Sequence, residues 1–200
     1  MKDKPLLRKF ISGLMVMILV LVLMIPNSVY IHAGENQENQ YKEHINEVIK
    51  DVADWLYDRQ EEGVWGDKEF INDTCEAIEV LKDWNKDADF SASYAWLEEQ
   101  MGDVKEADND LLARYILTGL EAKEQLEQLK ASQNEDGGFG LNAYYKSDVY
   151  DSMLALQALT KADSDDMESI LYVIDYLCNQ QNEDGGWGYT ENAESDTWLT

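Results

Sequence analysis

The sequence is poor in proline and in basic residues. Its two prolines, Pro5 and Pro26, lie within the first 26 positions, so the rest of the chain lacks the residue that most strongly interrupts helices. Sixteen Lys and Arg stand against 41 Asp and Glu, which gives a formal charge of −25 at pH 7. Because nucleic-acid binding depends on neutralising phosphates with basic side chains, this charge excludes nucleic acid as a partner.

Cysteine is also scarce. Cys75 and Cys178 are the only two, and both stand among apolar residues of predicted helices. Because one distant pair does not make a disulfide framework, we expect two buried thiols in preference to a bridge. Hydrophobic residues, in contrast, make up 44% of the chain, and it has six tryptophans, which predicts a packed core rather than a disordered acidic tail.

The amino terminus has the pattern of an export signal. Four basic residues precede an apolar run over 10–25, which as a helix reaches only ~24 Å, short of the ~30 Å hydrocarbon core. We interpret residues 1–33 as a signal peptide cleaved after Ala33; the alternative is an uncleaved signal anchor, the chain's only contact with a membrane. A linker over 34–40 and a repeat region over 41–200 are then expected to be secreted or at the cell surface.

The body of the chain repeats itself. The octapeptide Gln133–Gly140 recurs 48 residues later as Gln181–Gly188, with seven of eight positions identical and Phe139 replaced by Trp187. A shorter copy lies at Gln60–Gly66, and a degenerate one follows Trp96. A period of about 40 residues is typical of stacked helical repeats.

Each repeat is predicted to contain two kinds of helix. Upstream of each turn the apolar residues keep one helical face, which favours an outer helix with one side in water. Downstream, the helix starting near Asp148 is apolar around most of its circumference, which favours an inner helix contacted on two sides. The fold class is therefore all-α. Outer helices are expected from about 41, 91, 122 and 167, and inner helices from about 72, 108 and 148, with a first turn at 196.

An acidic residue stands at the start of each predicted inner helix. A carboxylate at this position accepts backbone N–H groups and meets the positive end of the helix dipole, which contributes ~1 kcal/mol. The predicted helix caps are Asp73, Asp110, Asp148 and Asp196.

The repeated turns resemble the QW motif of the squalene cyclase and protein prenyltransferase superfamily. The matching repeat-structural residues are Gln60, Gly63 and Trp65, then Gln133, Gly137 and Phe139, then Gln181, Gly185 and Trp187. The resemblance implies an α/α toroid of alternating inner and outer helices. Some members cyclise isoprenoids or transfer prenyl groups, whereas related toroids outside the cytoplasm, such as vitamin B12 carriers and complement thioester domains, bind ligands or proteins.

The predicted helices make up about half of such a toroid. With about three and a half helix pairs, the barrel is expected to be incomplete, with repeats truncated at the carboxyl terminus and continuing beyond Thr200 in the natural product. The resemblance also implies that the motif residues are structural, so that catalytic signatures have to be sought separately.

Two short segments have the letters of catalytic motifs of this superfamily but not the surroundings that those motifs need. Asp163, Asp165 and Asp166 have the letters of the DxDD general-acid motif, but they join two predicted helices at a solvated junction instead of lying in a cavity. Asp73 and Cys75 resemble the Asp-x-Cys zinc ligands of prenyltransferases, but both histidines of the chain lie upstream of them, and a zinc site needs three protein ligands. We therefore predict neither a metal site nor a cofactor.

The sequence thus predicts an exported repeat protein that binds an extracellular ligand or protein of unknown identity. The alternative is an isoprenoid cyclase or prenyltransferase whose catalytic residues lie beyond Thr200.

Overall fold

A computed structural model describes residues 35–85, 87–103, 107–162, 167–189, 193–197 and 199. Within these ranges the protein is helical, and its only β pairings are two isolated bridges, Glu61 with Val64 and Phe139 with Asp148. The all-α class is confirmed. The helices are α1 (Glu35–Tyr57), α2 (Ile71–Trp84), α3 (Ser91–Asp103), α4 (Asn109–Leu117), α5 (Lys123–Ala131), α6 (Val149–Lys161) and α7 (Met167–Gln180).

The helix starts lie close to the predicted positions. α3 and α7 begin at Ser91 and Met167, as expected, whereas α1 already begins at Glu35. The residues expected to form a linker over 34–40 are helical from Glu35 onward. At Asp196 the described residues show a single turn, in which the Leu199 N–H donates to the Asp196 carbonyl oxygen at 3.2 Å.

The predicted signal over 1–33 lies outside the described residues. Among the helices that the structure does describe, none combines the length and the apolar character that a membrane crossing requires.

The chain divides into two compact units, the first of which ends at Glu98. In this unit α1 packs against α2. α1 contributes Ile49, Ala53 and Leu56, whose spacing of three and four residues places them on one buried face. The other large buried side chains of this unit are Trp65, Ile78, Leu81, Phe90 and Leu97.

The second unit begins at Glu99. Here α4 packs against both α5 and α6, and α6 packs in turn against α7. The two predicted inner helices, α4 and α6, are therefore neighbours, and each has a predicted outer helix on its other side. Being contacted on two sides explains why α6 is apolar around most of its surface. The fully buried side chains of this unit include Leu129, Phe139, Leu159 and Val173.

The structure confirms one of the predicted caps and corrects two. Asp148 is the N-cap of α6, where its side chain accepts the Asp151 N–H. For α4 the N-cap is Asp108, which accepts the Leu111 N–H at 2.8 Å, while Asp110 lies within the first turn. For α2 the N-cap is Phe70, and Asp73 lies buried in the first turn.

The cysteines differ in burial. Cys75 is buried in α2, as expected, but Cys178 in α7 is exposed, so the expectation of a second buried thiol is wrong. Cys178 shares one exposed face of α7 with Met167, Leu171 and Ile174, at spacings of four, three and four residues.

Candidate functional site

The turn between α5 and α6 is fastened to α7 through its glutamine and its glycine. The Gln133 Nε2 donates to the Gly137 carbonyl oxygen at 2.8 Å and to the Ser169 carbonyl oxygen of α7 at 3.0 Å. Gly137 has a φ of +85°, and a Cβ at this position would stand 2.5 Å from the Tyr172 carbonyl oxygen. Only glycine satisfies both the backbone conformation and the close approach of α7.

The same turn is tied to the segment that precedes α6. The Asn134 Nδ2 donates to the Tyr145 carbonyl oxygen and to the Ser147 Oγ, both at 3.0 Å, and the Ser147 hydroxyl donates to Asp136 Oδ1 at 2.6 Å. Asp136 also accepts the Gly138 N–H at 3.0 Å. These bonds hold the backbone at the point where Asp148 begins α6.

The turn after α7 repeats this network 48 residues later. The Asn182 Nδ2 donates to the Ala193 carbonyl oxygen and the Ser195 Oγ at 3.0 Å, and the Ser195 hydroxyl donates to Asp184 Oδ1 at 2.6 Å. Bonds from Ser195 and from the Gly186 N–H hold the pKa of Asp184 below its ordinary value. The two turns thus repeat in structure as well as in sequence.

The aromatic residue of each turn packs between helices. Trp65 is 1% exposed and Phe139 0%, whereas Trp187 is only half-buried. The Trp65 Nε1 donates to the Leu56 carbonyl oxygen, and the Trp187 Nε1 donates to the Leu177 carbonyl oxygen, both at 2.8 Å. The indole N–H thus satisfies a carbonyl group near the end of the preceding outer helix.

Sequence reasoning missed two hydroxyl groups that complete these turns. The Phe139 N–H donates to the Ser152 Oγ at 2.8 Å, and that hydroxyl donates back to the Phe139 carbonyl oxygen at 3.2 Å. Thr74 makes the same pair of bonds with the backbone of Trp65, at 3.1 and 3.3 Å. The signal was present in the sequence, because Thr74 and Ser152 each follow an aspartate near the start of an inner helix.

In the shorter first turn, over 60–66, only some of the motif residues make the contacts seen in the other turns. Gly63 has a φ of +85°, and a Cβ there would lie 2.6 Å from the Ser93 nitrogen of α3. Trp65 is bonded as described, but the described contacts include no counterpart of the Gln133 amide bonds for Gln60. The motif residues with described contacts therefore hold backbone segments together.

A second cluster lies where α4 and α6 begin. The Arg114 Nε donates to both carboxylate oxygens of Asp110 at 3.0 Å, and its Nη2 donates to the Tyr150 Oη at 2.5 Å. The Tyr150 hydroxyl faces Asp110 Oδ1 at 3.4 Å. This network joins the first turns of two neighbouring inner helices across 36 residues of sequence.

Asp151 is the most perturbed acid of this cluster. Burial is the main cause that raises its pKa to about 7, and the negative charge of Asp148 and a hydrogen bond with it come next. The charges of Asp110 and Asp108 raise the pKa further. Asp151 therefore keeps its proton at pH values where an ordinary carboxyl group has lost it.

Exposed aromatic side chains lie on the segment that precedes α6. The segment 141–147 is held to the start of α4, because the Asn109 Nδ2 donates to the Gly140 carbonyl oxygen and the Asn109 N–H to the Leu141 carbonyl oxygen, both at 2.8 Å. Tyr144 on this segment is 95% exposed. We define the amino-terminal rim as Asp108, Asp110, Tyr144, Tyr145, Asp148 and Tyr150.

The structure describes only one of the two imitated catalytic signatures. Asp163, Asp165 and Asp166 lie outside the described residues. Asp73 and Cys75 are buried in α2, and the described ranges contain no group of three His, Cys, Asp or Glu side chains able to hold a metal ion. Neither a protein-family model nor a curated protein matches this chain.

Proposed function

We propose that the chain is an exported repeat protein of the squalene cyclase and protein prenyltransferase superfamily, built as part of an α/α toroid. Support comes from the turns over 133–140 and 181–188, whose side-chain bonds repeat partner by partner. The neighbouring positions of α4 and α6, each with its own outer helix, also agree with a wall of two helical layers. Export is tested by amino-terminal sequencing of the secreted chain, which should begin at Gly34.

The protein acts as a binding module, and the amino-terminal rim is its binding site. The observation that carries this proposal is the combination of the carboxylates of Asp108, Asp148 and the Arg114-paired Asp110 with exposed tyrosine rings. Such a surface attracts cations, because carboxylates contribute charge and aromatic faces contribute a cation–π interaction. The ligand is therefore a positively charged molecule or a basic segment of an extracellular protein.

Binding of a tetralysine peptide tests this function, with tetraserine as the neutral reference. Tyr144→Ala and Tyr145→Ala are each expected to weaken tetralysine binding about two- to fivefold, the equivalent of one exposed cation–π contact. Tyr189→Ala is the matched control, because Tyr189 is an exposed tyrosine on the corresponding segment of the next repeat. Equal affinities for all three variants would show that only the general acidity of the surface attracts the peptide.

Acid catalysis on an isoprenoid is the second candidate, and Asp151 is the observation that favours it. A carboxyl group with a pKa of about 7 at the start of an inner helix has the protonation that a general acid needs. Its side chain is buried beneath the rim, however, which favours the binding module. Incubation with squalene followed by mass spectrometry decides: a cyclised product that is lost in Asp151→Asn would establish the enzyme.

A further inference from the structure

The turn over 181–188 differs from its two counterparts in one respect. A Cβ on Gly63 would meet the Ser93 nitrogen of α3 at 2.6 Å, and one on Gly137 would meet the Tyr172 carbonyl oxygen of α7 at 2.5 Å. Gly185 has the same left-handed φ, +86°, yet no atom of the described residues lies within 4 Å of such a Cβ. Two of the three turns thus pack against the next outer helix, whereas no described residue covers the equivalent surface of the third turn.

The glutamine of this turn shows the same difference. Gln133 divides its amide between the Gly137 carbonyl oxygen of its own turn and the Ser169 carbonyl oxygen of α7. Gln181 makes the first of these bonds, to the Gly185 carbonyl oxygen at 2.7 Å, and its side chain is exposed. The described residues thus give Gln181 no counterpart of the bond from Gln133 to Ser169.

The apolar side chains beside this turn extend the same surface. Because the two indole bonds make Leu56 and Leu177 equivalent, Tyr57 corresponds to Cys178. Tyr57 packs edge-on against Phe90, with ring centroids 6.2 Å apart, and its hydroxyl donates to the Asp89 carbonyl oxygen at 3.1 Å. Both partners directly precede α3, whereas Cys178 is exposed together with Met167, Leu171 and Ile174.

We propose that the surface formed by Cys178, Gln181 and Gly185 is a docking site for one further outer helix of this repeat. The occupant presents backbone from one of its first two turns to Gly185, as Ala92 and Ser93 do to Gly63 and Tyr172 does to Gly137, and a carbonyl oxygen to Gln181. It is an amphipathic helix preceded by an aromatic residue in the place of Phe90. This assignment continues two interfaces within the molecule and is independent of the ligand proposed for the amino-terminal rim.

Register-matched extension of the full chain tests the proposal. Thr74 and Ser152 occupy equivalent positions, and the 48-residue repeat makes Thr200 their counterpart. Appending a copy of residues 75–103 after Thr200 therefore supplies an inner helix, Phe90 and an α3-type outer helix in register. The appended copy carries Cys75→Ser, so that Cys178 is the one exposed thiol among the described residues.

The readout is the rate at which Cys178 reacts with a maleimide. The extended chain is expected to react at least about tenfold more slowly than the 200-residue chain, which corresponds to about 1.4 kcal/mol of protection. Gly185→Ala should restore fast labelling in the extended chain, because its Cβ would meet the docked backbone. The same substitution should leave the labelling rate of the 200-residue chain unchanged.

A second extension guards against failure of the first appended segment to fold. A copy of residues 153–182, with Cys178→Ser in the copy, supplies an α7-type helix in the same register. Unchanged labelling of Cys178 in both extended chains would overturn the proposal. Protection of Cys178 in the 200-residue chain that rises with protein concentration, together with a dimer in sedimentation, would overturn it in favour of a second copy as the occupant.

Discussion

At the scale of single residues, Asp151 makes stability depend on pH. Its pKa is raised from 3.8 to about 7, mainly by burial, so the folded chain holds a proton that the unfolded chain releases near pH 4. The stabilising contribution of the protonated form is full below pH 3.8 and is lost as the pH rises through about 7. We expect the unfolding free energy to fall over this window in the wild type.

Asp151→Asn keeps a hydrogen-bond donor toward Asp148 and has no charge to bury. Urea unfolding at pH 5, 6, 7 and 8 should therefore show a weaker pH dependence for Asp151→Asn than for the wild type, and higher stability above pH 7. Asp175→Asn, on the exposed face of α7, is the control and should follow the wild-type curve. A variant curve parallel to that of the wild type would contradict the burial of an uncompensated carboxyl group.

The hydroxyl groups of Thr74 and Ser152 give a second prediction at this scale. Each accepts a buried backbone N–H, from Trp65 and from Phe139. Ser152→Ala and Thr74→Val leave those N–H groups without their acceptor, which should cost about 1–3 kcal/mol each in urea unfolding. Thr160→Ala provides the comparison, because the Thr160 hydroxyl is exposed on the surface of α6. A cost below that of Thr160→Ala would exclude the assigned role.

At the scale of elements, the hydrogen bond that Asp108 makes as the N-cap of α4 can be tested separately from its negative charge. Asp108→Asn retains an acceptor for the Leu111 N–H, whereas Asp108→Ala removes it. We expect Asp108→Ala to be less stable than Asp108→Asn by about 1 kcal/mol in chemical denaturation. The corresponding pair at Asp110, Asp110→Ala and Asp110→Asn, should differ less, because Asp110 bonds Arg114 instead of the helix end.

Helix positions were predictable from the sequence, but the choice of cap was not. The start of α4 offers Asp108, Asn109 and Asp110 in a row, and local preference admits each of them as a cap. Tertiary contacts decide: Asn109 is engaged by the Gly140 and Leu141 carbonyl oxygens, about 31 residues away, which leaves Asp108 as the cap. Cys178 was misjudged for a related reason, since its exposure depends on what packs against α7.

The candidate site was predictable where residues recur and not where they meet across helices. The turn glycines and aromatics stand out by repetition, and their bonds are local. The contact of Arg114 with Tyr150 joins positions 36 residues apart, and it exists only because α4 packs against α6. The rim therefore became visible only once that packing was known.

At the scale of the whole molecule, the excess of negative charge opposes compaction. With a formal charge of −25, the chain repels itself, and this self-repulsion falls when salt screens it. The urea midpoint should therefore rise when NaCl increases from about 20 to about 300 mM, a range over which the Debye length falls severalfold. Choline chloride should act in the same way; a midpoint that falls in both salts would contradict the repulsion.

The central claim is that the repeated turns fasten successive helix hairpins as firmly as a core does. Amide hydrogen exchange followed by NMR tests it most directly at Phe139, whose N–H is bonded to Ser152, and at the indole N–H of Trp65. Both protons should exchange as slowly as the amides at the centre of α6, through global unfolding alone. Exchange of either proton as fast as that of an amide without a hydrogen bond would contradict the account.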